Sequence, residues 1–274
     1  MTTDLSRVEL FINEVKQQTA KPCISLVPDF DRTPNVTDSK LGGLPYWPSN
    51  APYPECDGEK MSLLTQINFS EIEENDLLPR EGILQFFIAS NSSHTYGVNF
   101  KNPDLQESFK VVYHPSIEES VTIDAPRLEE CENSPLHMEV ALNIEPALSF
   151  ININDPEFND IYKTVVAKLF HDDDPGEMFQ FFNNEEMCAI EQALMFSPTP
   201  GHQMTGWPKF VEGDPRNEEQ QEQFNTLLLQ LGSQFTDNGE LLMWGDMGIA
   251  QFFIAQENLQ KLDFSSVFYL FTAS

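Results

Sequence analysis

The sequence predicts a mainly β, α+β protein whose sheets arise from an internal duplication and carry flanking helices. Three observations lead there. Gly82-Ile83-Leu84-Gln85-Phe86-Phe87-Ile88-Ala89 recurs as Gly248-Ile249-Ala250-Gln251-Phe252-Phe253-Ile254-Ala255, with only the third residue changed. Neighbouring segments recur in the same order: Gly43-Leu44-Pro45 as Gly206-Trp207-Pro208, Leu63-Leu64-Thr65-Gln66 as Leu228-Leu229-Gln230, and Val111-Val112-Tyr113 as Val267-Phe268-Tyr269. Short apolar runs bounded by Gly, Pro, Asn and Asp outnumber helical stripes. An ordered repeat decides architecture before any single motif does.

Taken in order, residues 4–18 read as an amphipathic helix, with Asp4 as its cap and Leu5, Val8, Phe11 and Val15 on one stripe. Lys21–Pro28 is a strand. The stretch from Asp29 to Cys56 is rich in turn residues and reads as loop. Its Leu41–Pro48 portion is too apolar to be solvated and is expected to pack on the domain. Leu63–Phe69 and Gly82–Ala89 are strands; in the second, both faces are largely apolar, which predicts cover on both sides. Lys110–His114 is a further strand, and Val121–Ile123 and Leu148–Ile153 are short alternating ones. A helix starts at Asp155-Pro156-Glu157, where Asp155 caps, Pro156 suits the first turn and Glu157 complements the dipole. Phe158, Ile161, Tyr162, Val165, Val166 and Leu169 form its stripe. A second helix covers Glu185–Met195, and any helix over Asn217–Phe224 must be exposed. Strands follow at Thr226–Leu231 and Gly248–Ala255, then a helical turn at Glu257–Leu262 and a last strand at Ser266–Phe271. The organisation expected is one domain over residues 1–274, with related halves at about 1–120 and 197–274 and a divergent middle at about 121–196.

Composition excludes some functions. The chain has 274 residues, 40% of them apolar, with 22 Phe, and is globular rather than disordered. Its 44 acidic and 15 basic residues give a net charge of −29. That field repels phosphate backbones and anionic membranes, so neither nucleic acid nor a membrane surface is expected as a partner, whereas a basic protein would be attracted. No apolar run approaches the roughly 18 residues of a membrane span, and Met1–Ala20 lacks the pattern of a secretory signal. The four cysteines (Cys23, Cys56, Cys131, Cys188) form no C-x-x-C pair and suggest neither a zinc site nor a disulfide framework. A reduced, cytoplasmic setting is the expectation. The five histidines lack metal-ligand spacing, Asp172–Glu177 lacks the alternation of a calcium loop, and phosphate-loop, dinucleotide and nucleophile-elbow motifs are absent. No cofactor or metal is expected, and no residue is assigned as catalytic.

Two constellations could carry chemistry. The first is Asp214-Pro215-Arg216 with His202 and the Trp244-Gly245-Asp246 turn. Arg216 is one of five arginines in this acidic chain, and a bidentate guanidinium can hold a carboxylate or phosphate. Asp214 or Asp246 could orient His202 as a general base. The plainer alternative is an internal salt bridge that pins the loop before residue 226. The second constellation is the repeated glutamines Gln66, Gln85, Gln230 and Gln251. They either line a shared polar cleft or satisfy backbone groups inside the core.

The ordered run His202–Phe210, Asp214-Pro215-Arg216, Leu227–Leu231, Trp244–Gly248 and Leu262–Ser265 resembles the YwqG-like family, bacterial proteins gathered under a domain of unknown function. Gly42-Gly43-x-Pro45, Leu64-x-Gln66-Ile67-Asn68-Phe69 and Gly82–Phe86 extend the resemblance to the N-terminal half. It implies a β-rich roll with flanking helices and no established enzymatic activity. Some members are encoded near polymorphic toxin systems, which implies immunity-type roles for part of the family. Glu212 stands where the family often has Gln, so a ligand contacted there would differ. The function expected is a non-catalytic binding module, immunity-like toward a basic partner. The alternative is a small-ligand binder or hydrolase using His202, Asp214, Arg216 and Asp246.

Overall fold

A computed structural model of the chain describes residues 6–49, 51–73, 75–90, 95–118, 124–195, 201–237 and 239–273. Ser6 caps helix α1 (Arg7–Thr19) through a capping box with Glu9. The cap therefore falls two residues after Asp4, which lies outside the described residues, as does the strand expected at Val121–Ile123. Strand β1 (Lys21–Asp29) follows directly, then β2 (Lys40–Leu41), the small hairpin β3 (Glu55–Cys56) and β4 (Glu59–Lys60), and β5 (Ser62–Asn68), β6 (Ile83–Ile88) and β7 (Phe109–His114). Strand β8 (Val140–Ser149) leads into helices α2 (Phe158–Phe170), α3 (Met178–Phe181) and α4 (Asn184–Leu194). The C-terminal part holds β9 (His202–Met204), α5 (Glu218–Gln223), β10 (Thr226–Gly232), the hairpin β11 (Gln234–Thr236) and β12 (Gly239–Leu242), β13 (Ile249–Ile254), α6 (Gln256–Gln260) and β14 (Val267–Thr272).

Ten strands form one antiparallel sheet in the order β14-β13-β10-β9-β1-β8-β2-β5-β6-β7. This order is a palindrome of the duplication. At its centre β1 pairs along its whole length with Ala141–Ser149 of β8. Ile24 and Ser25 of β1 pair outward with Met204 and Gln203, as Val140 and Ala141 of β8 pair with Leu41 and Lys40. An approximate twofold axis therefore passes between β1 and β8. The repeats interlock, because β1 from the N-terminus completes the C-terminal wing and β8 completes the N-terminal one. A register irregularity falls at the same place in both copies, at Leu63/Thr65 and Leu227/Leu229.

One expected equivalence changes. Phe109 pairs with Ile88 as Val267 pairs with Ile254, so Val111 corresponds to Tyr269 rather than to Val267. A slip of two residues keeps every side chain on its face, which is why short apolar triplets could not distinguish the two alignments.

The wings curl toward each other. Phe252 meets Phe86 at 4.9 Å between ring centroids, Phe109 meets Tyr269 at 5.1 Å, and Phe252 stacks on Tyr269 at 4.2 Å. Tyr269 N donates to Pro103 O on the opposite wing. The main core fills the space between them. The outer faces carry two smaller clusters at equivalent places, Trp47, Leu63 and Phe87 in one and Phe210, Leu227 and Phe253 in the other. Strands β6 and β13 are thus buried on both faces. A third cluster joins α1, α2 and α4 beneath Trp207. The mainly β, α+β class holds, with a near-closed sheet and α1, α2 and α4 gathered in one helical cluster.

Candidate functional site

The glutamines occupy equivalent paired positions, Gln66 opposite Gln85 and Gln230 opposite Gln251. All four are buried, so each polar atom needs a partner. Gln85 Nε2 donates to Gln66 Oε1 at 2.7 Å and to Tyr46 O at 2.7 Å, while Tyr46 N donates to Gln66 Oε1 at 2.9 Å. In the other copy Gln251 Nε2 donates to Gln230 Oε1 at 3.0 Å and to Lys209 O at 3.1 Å, and Lys209 N donates to Gln230 Oε1 at 2.8 Å. Each pair grips both backbone groups of the residue that follows the repeated proline. The loops so held match closely: Gly42 and Gly43 have φ of 63° and 72°, and Thr205 and Gly206 have 61° and 74°. The second position favours glycine in both copies because its φ is positive, and a Cβ on Gly206 would also meet Ser149 and Cys23.

One further side chain completes each clamp. Gln203 Nε2 donates to Thr205 O and Trp207 O at 2.9 and 3.0 Å. Its counterpart Lys40 donates from Nζ to Leu44 O at 2.5 Å and lies 3.3 Å from Glu139 Oε1. Burial lowers the Lys40 pKa, with Glu139 opposing. His202 and Ser39 are likewise equivalent: Gly232 N donates to His202 Nδ1, as Asn68 N donates to Ser39 Oγ.

The accepting Nδ1 leaves the His202 proton on Nε2, which donates to Gln234 Oε1 at 2.6 Å. Burial lowers its pKa, so the ring is neutral and both nitrogens are taken. Arg216 forms a bidentate ion pair with Asp214, Nε to Oδ1 at 2.9 Å and Nη2 to Oδ2 at 2.6 Å. Its Nη1 donates to Phe224 O at 2.6 Å, and its guanidinium lies 3.6 Å from the Phe253 ring centre. This pair holds the loop before β10. Trp244 is buried against Tyr96 and Phe271, while Asp246 is exposed in the following turn. Asp214 and Arg216 are thus brought together. His202 is committed to the β9–β10 edge, and Trp244 packs in a separate aromatic group.

Asp214 and Arg216 line a cavity of about 180 Å³ with Lys21, Asp155, Trp207 and Gln221. The Lys21 ammonium sits 3.2 Å from the centre of the Trp207 ring. Burial pushes the Asp155 carboxyl up to about 6, opposed by its hydrogen bond from Glu157 N. Among the described residues no group of three His, Cys, Asp or Glu side chains is placed to hold a metal ion.

A family model described as Domain of unknown function (DUF1963) matches residues 39–272. The chain belongs to this family. No curated protein matches it. The DUF1963 match opens at Ser39 and closes at Thr272, and so takes in both glutamine clamps and the Arg216–Asp214 pair. No helix among the described residues is long and apolar enough to cross a membrane.

In this DUF1963 chain the sequence pattern reads Asp155 only as a helix cap, a position that Glu157 holds in the structure, and assigns no role to Lys21, Lys40 or His114. The repeat carried a signal for Lys40, which stands where the second copy has Gln203. His114 Nε2 lies 2.9 Å from Gln85 Oε1, and burial brings its pKa down to about 4. The two shifted groups act in opposite directions on stability. Between about pH 6.5 and 4 the unfolded chain holds more protons at His114 than the native one, so acidification through this window removes stability. Asp155 does the reverse: between about pH 6 and 4 the native state holds the extra proton. His114→Gln is expected to flatten the acid-side loss in denaturant titrations across this range, and Asp155→Asn to steepen it. Identical profiles for wild type and both variants would disprove the assignment.

Proposed function

We propose that this DUF1963 protein is a non-catalytic binding module that captures a basic protein, in the manner of an immunity protein or inhibitor. The observation that carries the reading is the net charge of −29 on a folded 274-residue chain. Such a field accelerates encounter with a cationic partner and weakens with salt. The internal commitments of the polar groups agree with it. His202 is neutral with both nitrogens occupied, and Arg216 is held by Asp214 and Phe224 O, so neither is poised for acid–base work. We extend the YwqG-like resemblance and a reduced cytoplasmic setting as part of the same proposal. The small-ligand or hydrolase reading ranks second. The cavity beside Arg216 favours it, but His202 does not line that cavity.

The test is affinity capture from the source cell extract at low ionic strength, followed by a salt gradient. A basic protein that is retained at low salt and released as salt rises is the expected result. Retention of no basic protein, or of partners indifferent to salt, sinks the proposal.

A further inference from the structure

The duplication gives each half the same wall of sheet and clamped loop, and the two walls are covered differently. Counting back along the central strands from the paired residues, Lys21 corresponds to His137 and Cys23 to Glu139, while the loops equate Trp207 with Leu44. In the C-terminal wing Trp207 is 7% exposed. Its Nε1 donates to Thr19 O at the end of α1, and its ring belongs to the cluster formed with α1, α2 and α4. In the N-terminal wing Leu44 is 48% exposed. It lines a groove of about 730 Å³ with Ala125, Pro126, Leu128 and Met138. The chain leading into β8 stands in the repeat where α1 stands before β1. Among the described residues it holds only a single 3-10 turn, at Leu128–Glu130. Among the described residues, no helix covers the N-terminal wall as α1, α2 and α4 cover the C-terminal one.

We propose that this groove docks an amphipathic, basic helix of a partner protein. The shape argument is the molecule's own: α1, with 13 residues, ends against Trp207, and its apolar stripe Val8, Phe11 and Val15 belongs to the helical cluster that buries that ring. The charge argument selects the partner. Asp124, Arg127, His137 and Glu139 line the groove, Glu139 lies 3.3 Å from Lys40 and Glu240 3.4 Å from His137, so the preference for a basic partner comes from the charge of −29 on the chain. A helix with an apolar stripe flanked by Lys and Arg fits the apolar floor and that field. A second copy of this chain is disfavoured, because each copy carries a charge of −29. The site rests on the proposed binding function and locates it.

The probe is a fluorescent Leu/Lys amphipathic helical peptide, titrated with the full chain and followed by anisotropy. A peptide of the same composition with its apolar stripe scrambled is the control. Wild type is expected to prefer the amphipathic peptide. Leu44→Asp and Met138→Asp should each weaken it by about tenfold or more. Leu148→Asp, at another exposed leucine (51% exposed), controls for the added charge and should stay within about twofold. Matching thermal melts establish that the variants are folded, and Leu44→Lys, which adds the opposite charge at the exposed position, must weaken binding as well. Equal effects of all the Asp substitutions, or no preference for the amphipathic peptide, overturn the groove. Should a basic cellular partner be captured with undiminished affinity by Leu44→Asp, the groove fails and the acidic-surface reading survives. Failure of wild type to hold any basic partner at low salt removes both.

Discussion

Replacing Gln66 with Leu is expected to destabilise the protein by about 3–5 kcal/mol, although the substitution adds apolar surface to an apolar strand. Gln66 makes four hydrogen bonds: Oε1 accepts from Tyr46 N and Gln85 Nε2, and Nε2 donates to Val36 O and Asp38 O at 2.9 Å each. Leucine orphans Tyr46 N and a proton of Gln85 Nε2 in the buried interior, where each such group costs roughly 1–3 kcal/mol, while Val36 O and Asp38 O lie nearer the surface. Gln85 retains Tyr46 O, so the losses do not add in full. The loop released is the one that presents Leu44 and Trp47, so near-ultraviolet circular dichroism should change together with the denaturation midpoint. Urea titration of Gln66→Leu checks this. A loss below about 1 kcal/mol would show that the clamp does not hold the fold.

Phe252→Ala is expected to cost about 3–5 kcal/mol, the range for deleting a buried phenylalanine. Phe252 is fully buried and touches both wings: Phe86 and Phe109 across the core, and Tyr269 beside it in the stack. Its loss opens a cavity where the sheet nearly closes on itself. The interlocked halves give a second expected outcome, a single cooperative unfolding transition in wild type and variant, because neither wing has its innermost strand from its own end of the chain. Two resolved transitions in wild-type calorimetry would show instead that the wings unfold independently.

How far the site was legible varies residue by residue. The glutamines were visible because each sits in a repeated strand. Their task was not visible, since it depends on the backbone of Tyr46 and Lys209, 20 and 21 residues from Gln66 and Gln230 in sequence. The salt-bridge alternative for Arg216 and Asp214 could be stated in advance because the two are neighbours in the chain. The separation of His202 from them could not be foreseen. Strand β9 is three residues long, too short for alternation to register, and its position between β1 and β10 orients the histidine. Strand β2, with two residues, escaped for the same reason, and with it the burial of Lys40.

The sequence by itself determined the duplication, the mainly β class, strands apolar on both faces and the strongly acidic charge. These follow from local pattern and composition, which the chain carries wherever it folds. Only the tertiary structure decided that β1 and β8 meet on the axis, that the two wings exchange their innermost strands, and that Trp207 is covered while Leu44 lies open. Those outcomes depend on pairing between segments far apart in the chain, which leaves no periodicity behind. They are set by which arrangement buries the apolar faces while satisfying the backbone groups of the clamped loops.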